Sequence, residues 1–159
     1  MAKKTYNQKL NDTRPHEIIT LPPDAAVKFG GTLMLVATPL IFDGIIRQIP
    51  SNEIVTMDEL RSHLARQYGA DCTCQLTAGI FVNIVANASH ERQIDATPYW
   101  RVLKKNGELN EKFPNGLEGH KKLLQQEGHT VIQKGKKYFV QNYQDVLFDL
   151  NTIKVKCNN

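Results

Sequence analysis

The chain has 159 residues, which is enough for one domain with a hydrophobic core and too few for two ordinary domains. Apolar residues make up 41% of it and charged residues 23%, a composition typical of a globular protein and unlike that of a disordered one. The net charge of +4 suits a polyanionic partner, but it also suits many proteins that bind none, so charge excludes neither class.

Two classes of protein are not indicated by the sequence. No apolar run approaches the length of a membrane span, and the first nine residues are polar and basic without the apolar stretch of a signal peptide. Cys72, Cys74 and Cys157 are odd in number and form no CxxC pair, so we expect neither a disulfide framework nor a metal site, and no cofactor. Reduced cysteines favour a reducing interior, and we expect a cytoplasmic protein.

The N-terminal quarter is predicted to contain only short elements. Residues 1–15 are polar and basic and are expected to form a loosely tied arm, for which a solvated tail is favoured over an arm that binds nucleic acid. A short strand is predicted at 17–21 and is ended by two prolines. Asp24 is expected to cap a helical turn that Gly30 ends, and 32–38 suits a strand or a buried linker.

The middle of the chain predicts three helices. Residues 40–49 carry apolar side chains every three to four positions, and Pro50 ends the pattern. Thr56 and Glu59 have the spacing of a capping box, which predicts a helix from there to Tyr68. After a connection at 71–74, residues 76–88 have large apolar residues on one side and small ones on the other.

The second and third of these helices predict a helix-turn-helix. A side built from small residues allows close approach to a groove of DNA, and equally to a neighbouring helix. The candidate nucleic-acid-binding residues on this helix are Thr77, Ala78, Gly79, Asn83 and Asn87.

The C-terminal half is predicted to be built around an aromatic turn. After a polar loop at 89–96, residues 97–102 place the only tryptophan beside a tyrosine and an arginine, and Asn106-Gly107 reverses the chain. A helix at 117–126, a β-hairpin and a last helical segment at 143–150 follow. The hairpin tip is basic and could contact phosphate, although such tips are commonly only solvated; its lysines are Lys134, Lys136 and Lys137.

The order and spacing of several anchors resemble the DNA-binding domain of O6-alkylguanine-DNA alkyltransferases over roughly residues 39–130. The resemblance implies a mainly α, α+β fold: a winged-helix-like helix-turn-helix domain at 39–159 with a small C-terminal β-hairpin, preceded by an N-terminal arm and short segment at 1–38. The anchors are Ile49-Pro50, Ile54-Val55-Thr56, Asn87, Pro98-Tyr99-Trp100-Arg101-Val102, Asn106-Gly107, Gly116-Leu117 and residues 123–129.

The chemistry of that family is not retained in the motif of Pro98, Tyr99, Trp100, Arg101 and Val102. Tyr99 stands where the family has its acceptor cysteine, and Trp100 stands where it has a histidine. A phenol with a pKa near ~10 is a poor nucleophile, and an indole has no basic nitrogen to activate it. We therefore expect no alkyl transfer by this turn.

Other family positions have changed or been kept in ways that bear on binding. Met57 stands in place of the family's phosphate-contacting tyrosine, and Thr77 or Ala78 in place of its arginine finger. Glu127 matches the family's glutamate and is expected to cap or to pair with Arg101. Asn87 and Arg101 are expected to hold the turn through bonds to the backbone, and Gly107 and Gly116 to serve turns.

The family also has non-enzymatic, alkyltransferase-like members, and the resemblance to these implies a non-catalytic DNA-binding module related to DNA repair. Its predicted base pocket consists of Met57, Tyr99, Trp100 and Arg101, with the aromatics able to stack on a flipped base. Two alternatives stay open. One is an enzyme with residual or changed activity, and the other is a scaffold whose pocket Tyr99 and Trp100 plug as core residues.

Overall fold

The computed structural model describes residues 3–153, in which short strands alternate with helices and a β-hairpin follows the last helix. The helices are α1 (Tyr6–Leu10), α2 (Pro23–Phe29), α3 (Pro39–Ile46), α4 (Met57–Gln67), α5 (Gln75–Arg92) and α6 (Gly116–Gln126). The strands are β1 (Glu17–Thr20), β2 (Leu33–Val36), β3 (Val55–Thr56), β4 (Cys72–Thr73), β5 (Val102–Leu103), β6 (Val131–Lys134) and β7 (Lys137–Val140).

The strands form three small sheets. β2 pairs antiparallel with β1 and parallel with β4, β3 pairs parallel with β5, and β6 with β7 makes the predicted hairpin. The sequence showed residues 71–74 only as a connection, because a strand of two residues is too short to display alternation. Through β4 the N-terminal segment is fastened to the turn of the helix-turn-helix.

Two hydrophobic clusters hold the elements together. In the larger one, Phe42 and Ile46 of α3 are completely buried against the small side chains of α5. Those side chains let the two helices approach closely, so the small-residue side of α5 faces the core. The smaller cluster lies beneath the hairpin and contains Ile54, Leu103, Leu109, Leu124 and Val140.

Helix caps follow the sequence in part. The Thr56 hydroxyl accepts the Glu59 N–H at 3.4 Å, as the capping box predicts, but it also donates to the Glu59 carboxylate at 3.1 Å. α2 begins after Pro22 with no side-chain cap, so the predicted cap by Asp24 is wrong. α3 begins at Pro39 behind a Thr38 cap and ends at Ile46, three residues before its predicted end.

Two predicted boundaries are wrong for tertiary reasons. α5 continues to Arg92 through residues expected to be loop, because the Ser89 side chain is buried and bonded to the aromatic turn. The last segment forms 3-10 turns at Tyr143–Val146 and Leu150–Thr152 and not one helix. Its backbone pairs with Ile54 instead, which donates to the Val146 carbonyl at 2.9 Å and accepts from the Phe148 N–H at 2.8 Å.

The N-terminal arm is fixed to α5, contrary to the expectation of a loosely tied segment. Glu91 accepts the backbone N–H groups of Tyr6 and Asn7 at 2.9 and 3.1 Å, while Leu10 is 3% exposed. The Asn7 side chain donates to the Ala88 carbonyl at 3.0 Å. α1 is therefore part of the domain.

Within residues 3–153, no helix combines the length and the apolar character needed to cross a membrane. Cys157 lies outside the described residues.

Candidate nucleic-acid interface

The aromatic turn is held by a buried hydrogen-bond network at the end of α5. Thr97 is completely buried, and its backbone N–H and carbonyl both bond the Ser89 hydroxyl, at 2.8 and 3.1 Å. The Thr97 hydroxyl donates to the buried Asp43 carboxylate at 2.6 Å and accepts from Arg92 at 2.9 Å. A 3-10 turn at Tyr99–Arg101 follows, so α3 and α5 together fix where the aromatics lie.

Tyr99 packs as a core residue. It is 5% exposed and meets the rings of Trp100 and Phe113 edge-on, with centroids 5.3 Å away in each case. Burial raises the pKa of the Tyr99 phenol, so phenolate is even scarcer here than for an exposed tyrosine. This environment does not suit a nucleophile. It suits an aromatic ring that packs at the centre of the turn.

Arg101 and Glu127 form an ion pair that joins three segments. The Arg101 Nε lies 3.0 Å from Glu127 Oε1, and one guanidinium nitrogen lies 2.5 Å from Oε2, with the two side chains 12% and 14% exposed. Arg101 also donates to the Ile49 carbonyl at 2.6 Å and to the Ser51 hydroxyl at 2.9 Å. The expected pairing with Glu127 and the bond of Arg101 to backbone are both present.

The charge state of Glu127 follows from this pairing. Burial alone would raise the pKa of its carboxyl, but the hydrogen bonds and the positive charge of Arg101 lower that pKa below its usual range, with a smaller contribution from the Asn52 backbone N–H. Glu127 therefore stays ionised, and it acts on the turn as a structural anion.

His120 is a buried support of the turn that sequence reasoning missed. It is completely buried; its Nδ1 accepts the Asn110 N–H at 3.1 Å, and its Nε2 lies 2.9 Å from the Trp100 carbonyl, which it serves as donor. Desolvation lowers the pKa of His120 to about 4, so the ring is neutral at pH 7. Its only sequence signal is its place on α6 one turn before Leu124, on the core side of that helix.

A cleft of about 500 Å³ opens between α5, the start of α4 and the loop at 104–112. Met57 lines it, as do Gly79 and Asn83 of α5, whereas Tyr99, Trp100 and Arg101 are not among its lining residues. The four residues of the predicted base pocket do not line this cleft together, because Tyr99 is packed into the core beside Phe113. The cationic side chains that line the cleft are Arg61, Lys104, Lys105 and Lys112, and the anionic ones are Asp58, Glu108 and Glu111.

The small side of α5 packs on the neighbouring helix, which was one of the two predicted possibilities, and two of its large apolar residues are exposed. Leu76 is 75% exposed and Ile80 is 49% exposed, whereas Ala78 is completely buried. Ala78 therefore cannot contact a nucleic acid, which corrects that candidate. We call Leu76 and Ile80 the α5 ridge.

The remaining candidates on α5 are placed differently from one another. Gly79 and Asn83 lie on the cleft side of the ridge, and Thr77 lies on the opposite flank, in a second hollow. Asn87 is half-buried and donates to the Asn83 carbonyl at 2.9 Å within its own helix. This bond lies within α5 and does not hold the aromatic turn, which was the role expected of Asn87.

The hairpin tip is exposed and projects its lysines to solvent. Lys134 lies over the Phe139 ring at 5.7 Å, and neither it, Lys136 nor Lys137 lines the cleft. Their contact with phosphate stays a prediction.

Cys72 and Cys74 are both free and half-buried. Burial raises the pKa of the Cys72 thiol, which disfavours the thiolate that nucleophilic attack requires. Across residues 3–153 no group of three or more histidine, cysteine, aspartate or glutamate side chains is arranged to hold a metal ion.

Comparison with known proteins defines the class of fold. No protein-family model matches the chain, and no curated protein matches it. Solved structures share its fold, which confirms the predicted mainly α, α+β class.

Two such structures come from S. pombe. One is Atl1 in complex with damaged DNA containing O6-carboxymethylguanine; its TM-score is 0.51 at 18% identity, and the match covers 70% of this chain and 94% of that one. The other is ATL in complex with DNA, with a TM-score of 0.50 at 19% identity, covering 69% of this chain and 92% of that one. At such identities the likeness concerns the fold.

Proposed function

We propose that this protein is a non-catalytic DNA-binding module that places the α5 ridge in a groove of duplex DNA. The observation that carries the proposal is the exposure of Leu76 and Ile80 beside a cleft whose walls bear lysines. Large apolar side chains left uncovered next to a cleft mark an interaction site. The S. pombe structures of the same fold are complexes with DNA, which supports DNA as the partner.

The charges of the cleft indicate how DNA would lie on it. Its four cationic and three anionic side chains sum to +1. Lys104 is occupied by Glu111 at 3.0 Å and Glu108 at 3.8 Å. Among the described residues Lys105 and Lys112 make no ion pair, so they are the phosphate contacts that we propose.

The interior of the cleft suits a neutral, planar group. The Asn83 side-chain oxygen is buried without a hydrogen-bond partner in the part of the chain described, and Met57 supplies a polarisable apolar wall. A base turned out of the duplex has both an apolar face and hydrogen-bonding edges. We therefore propose the cleft, and not the surroundings of Tyr99, as the place for such a base.

Alkyl transfer is not part of the proposal. The Tyr99 phenol is buried and its pKa is raised, and no thiol occupies its position. The free cysteines fit a reducing compartment, so we place the protein in the cytoplasm.

The test is the binding of a short labelled duplex over a salt series. We expect binding that weakens with salt, because cations on the protein displace counterions from DNA. K105E/K112E should bind less tightly, and the slope of log affinity against log salt should fall by about 1.8, since each lost phosphate contact removes about 0.9.

The matched control is K28E/K122E, which changes the net charge equally on α2 and α6 at two lysines that do not line the cleft. It should keep the wild-type slope. Failure of the wild-type protein to bind at the lowest salt would refute the proposed function.

A further inference from the structure

A second hollow lies on the other flank of α5. It has a volume of about 300 Å³ and lies between α5 and the N-terminal segment. Its rim is cationic, with Lys4, Lys9 and Arg14 among its lining residues. Its apolar lining consists of Pro15, Val36, Ala37, Pro39, Phe81 and Ile84.

The cationic rim is attached to a fixed part of the molecule. The Thr5 side chain accepts the Gln8 N–H at 3.1 Å, and the Gln8 side chain accepts the Thr5 N–H at 2.8 Å, which caps α1. Glu91 and Arg92 at the end of α5 bond the first turn of α1 through Tyr6 and Asn7. The cations on this segment are therefore held beside α5, and placing them against a ligand costs less conformational entropy than ordering a free tail.

The order of residues around α5 places the ridge between two sets of cations. Because successive helical residues are about 100° apart, Gly79 and Asn83 fall on one side of Ile80, and Thr77 and Phe81 on the other. The first pair lines the cleft that contains Lys105 and Lys112, and the second pair lines the hollow. Each flank of the ridge thus has basic side chains opposite α5.

A helix lying in a groove of duplex DNA has a phosphate strand on each side. We propose that Lys4, Lys9 and Arg14 contact the strand opposite the one reached by Lys105 and Lys112, so that the N-terminal segment forms the second half of the DNA-binding surface. This inference rests on the proposed function. It assigns a partner to a segment for which the sequence alone favours a solvated tail.

Nearby carboxylates do not cancel this basic rim. Asp12 and Glu17 also line the hollow, which leaves it a formal charge of +1 from three cations and two anions. The Asp12 carboxylate is 3.9 Å from Arg14, whose side chain is 79% exposed. An exposed ion pair at that distance is weak, so a phosphate can compete for the guanidinium.

The experiment compares K9E/R14E with K105E/K112E and with the control K28E/K122E, all of which change the net charge by the same amount. Each is measured against a labelled duplex over a salt series. We expect K9E/R14E to lower the slope of log affinity against log salt by about 1.8, as two lost phosphate contacts require. Combining the two face variants should lower it by about twice as much, because they act on different strands.

The outcomes separate this inference from the proposed function. If the wild-type protein binds and K9E/R14E behaves as K28E/K122E does, the inference is overturned and the proposed function stands. If the wild-type protein does not bind even at low salt, both are refuted. Thermal unfolding of every variant checks folding, and K9A/R14A repeats the comparison without introducing negative charge.

Discussion

The residues of the aromatic turn have structural roles, at positions where the family that the sequence resembles has reactive side chains. Tyr99 is a core ring, Trp100 receives a hydrogen bond on its carbonyl from His120, and Arg101 is fully engaged by Glu127 and backbone. The groups that hold the turn lie on other elements, among them Ser89, His120 and Glu127.

The Arg101–Glu127 pair gives a prediction at this scale. E127Q removes a mostly buried charge and leaves the guanidinium without its anion, although bonds to Ile49 and Ser51 remain. We expect a loss of about 2 to 3 kcal/mol in the free energy of unfolding at pH 7, measured by urea denaturation. E53Q, on a neighbouring side chain with no ion pair among the described residues, should change it by less than about 0.5 kcal/mol.

The effect of E127Q should depend on pH in a definite direction. Because folding lowers the pKa of Glu127, its contribution is present above the unfolded carboxyl pKa near 4.5 and is lost as the pH falls through the lower folded value. The difference between wild type and E127Q should therefore close at acid pH. A gap that persists there would contradict the ion-pair explanation.

At the scale of elements, α5 shows a helix whose existence the sequence predicts and whose orientation it leaves open. Its small-residue side suited either a groove of DNA or a neighbouring helix, and in the structure Ala78 and Val82 are buried while Leu76 and Ile80 are exposed. α3 packs so close to α5 that only small side chains fit between the two helices. This packing determines which side of α5 is buried.

A matched pair of truncations on α5 tests that orientation. V82A removes two methyl groups from a site that is 1% exposed and should cost about 2 kcal/mol. I80A removes a larger apolar group from a site 49% exposed and should change the free energy of unfolding by less than about 0.5 kcal/mol. Urea denaturation measures both, and the opposite ranking would mean that the ridge faces a core.

For the whole molecule, two buried histidines and a half-buried one contribute to how the free energy of unfolding depends on pH. Burial lowers the pKa of His63, His120 and His129, because desolvation disfavours the charged ring in each. These groups bind protons more readily in the unfolded chain than in the folded one. Stability is therefore full above the unfolded histidine pKa near 6.5 and falls as the pH drops below it.

For His120, the contribution to the pH dependence of the free energy of unfolding can be given a magnitude. With a folded pKa of about 4, it should account for roughly 2 kcal/mol of lost stability between about pH 7.5 and about pH 5. Urea denaturation at the two values should show a smaller loss for H120Q than for wild type, whatever the variant's absolute stability. H90Q, at an exposed position of α5, is the control and should keep the wild-type difference.

The sequence by itself determined what depends on local chemistry and on the order of anchors along the chain. The capping box at Thr56 marked the start of α4, the hairpin with the basic tip was predicted from its pattern, and the altered positions Tyr99 and Trp100 argued against alkyl transfer. The overall class of fold followed from the same anchors, and the structure confirms it.

Only the tertiary structure decided which surfaces are free. Burial of Tyr99 moved the candidate pocket from the aromatic turn to the cleft beside Asn83, and the hydrogen bonds that Glu91 accepts from Tyr6 and Asn7 fix the basic N-terminal segment to α5. The physical reason is the same in each case. Contacts between residues far apart in the chain decide which side chains the core has room for, and periodicity along one helix does not contain that information.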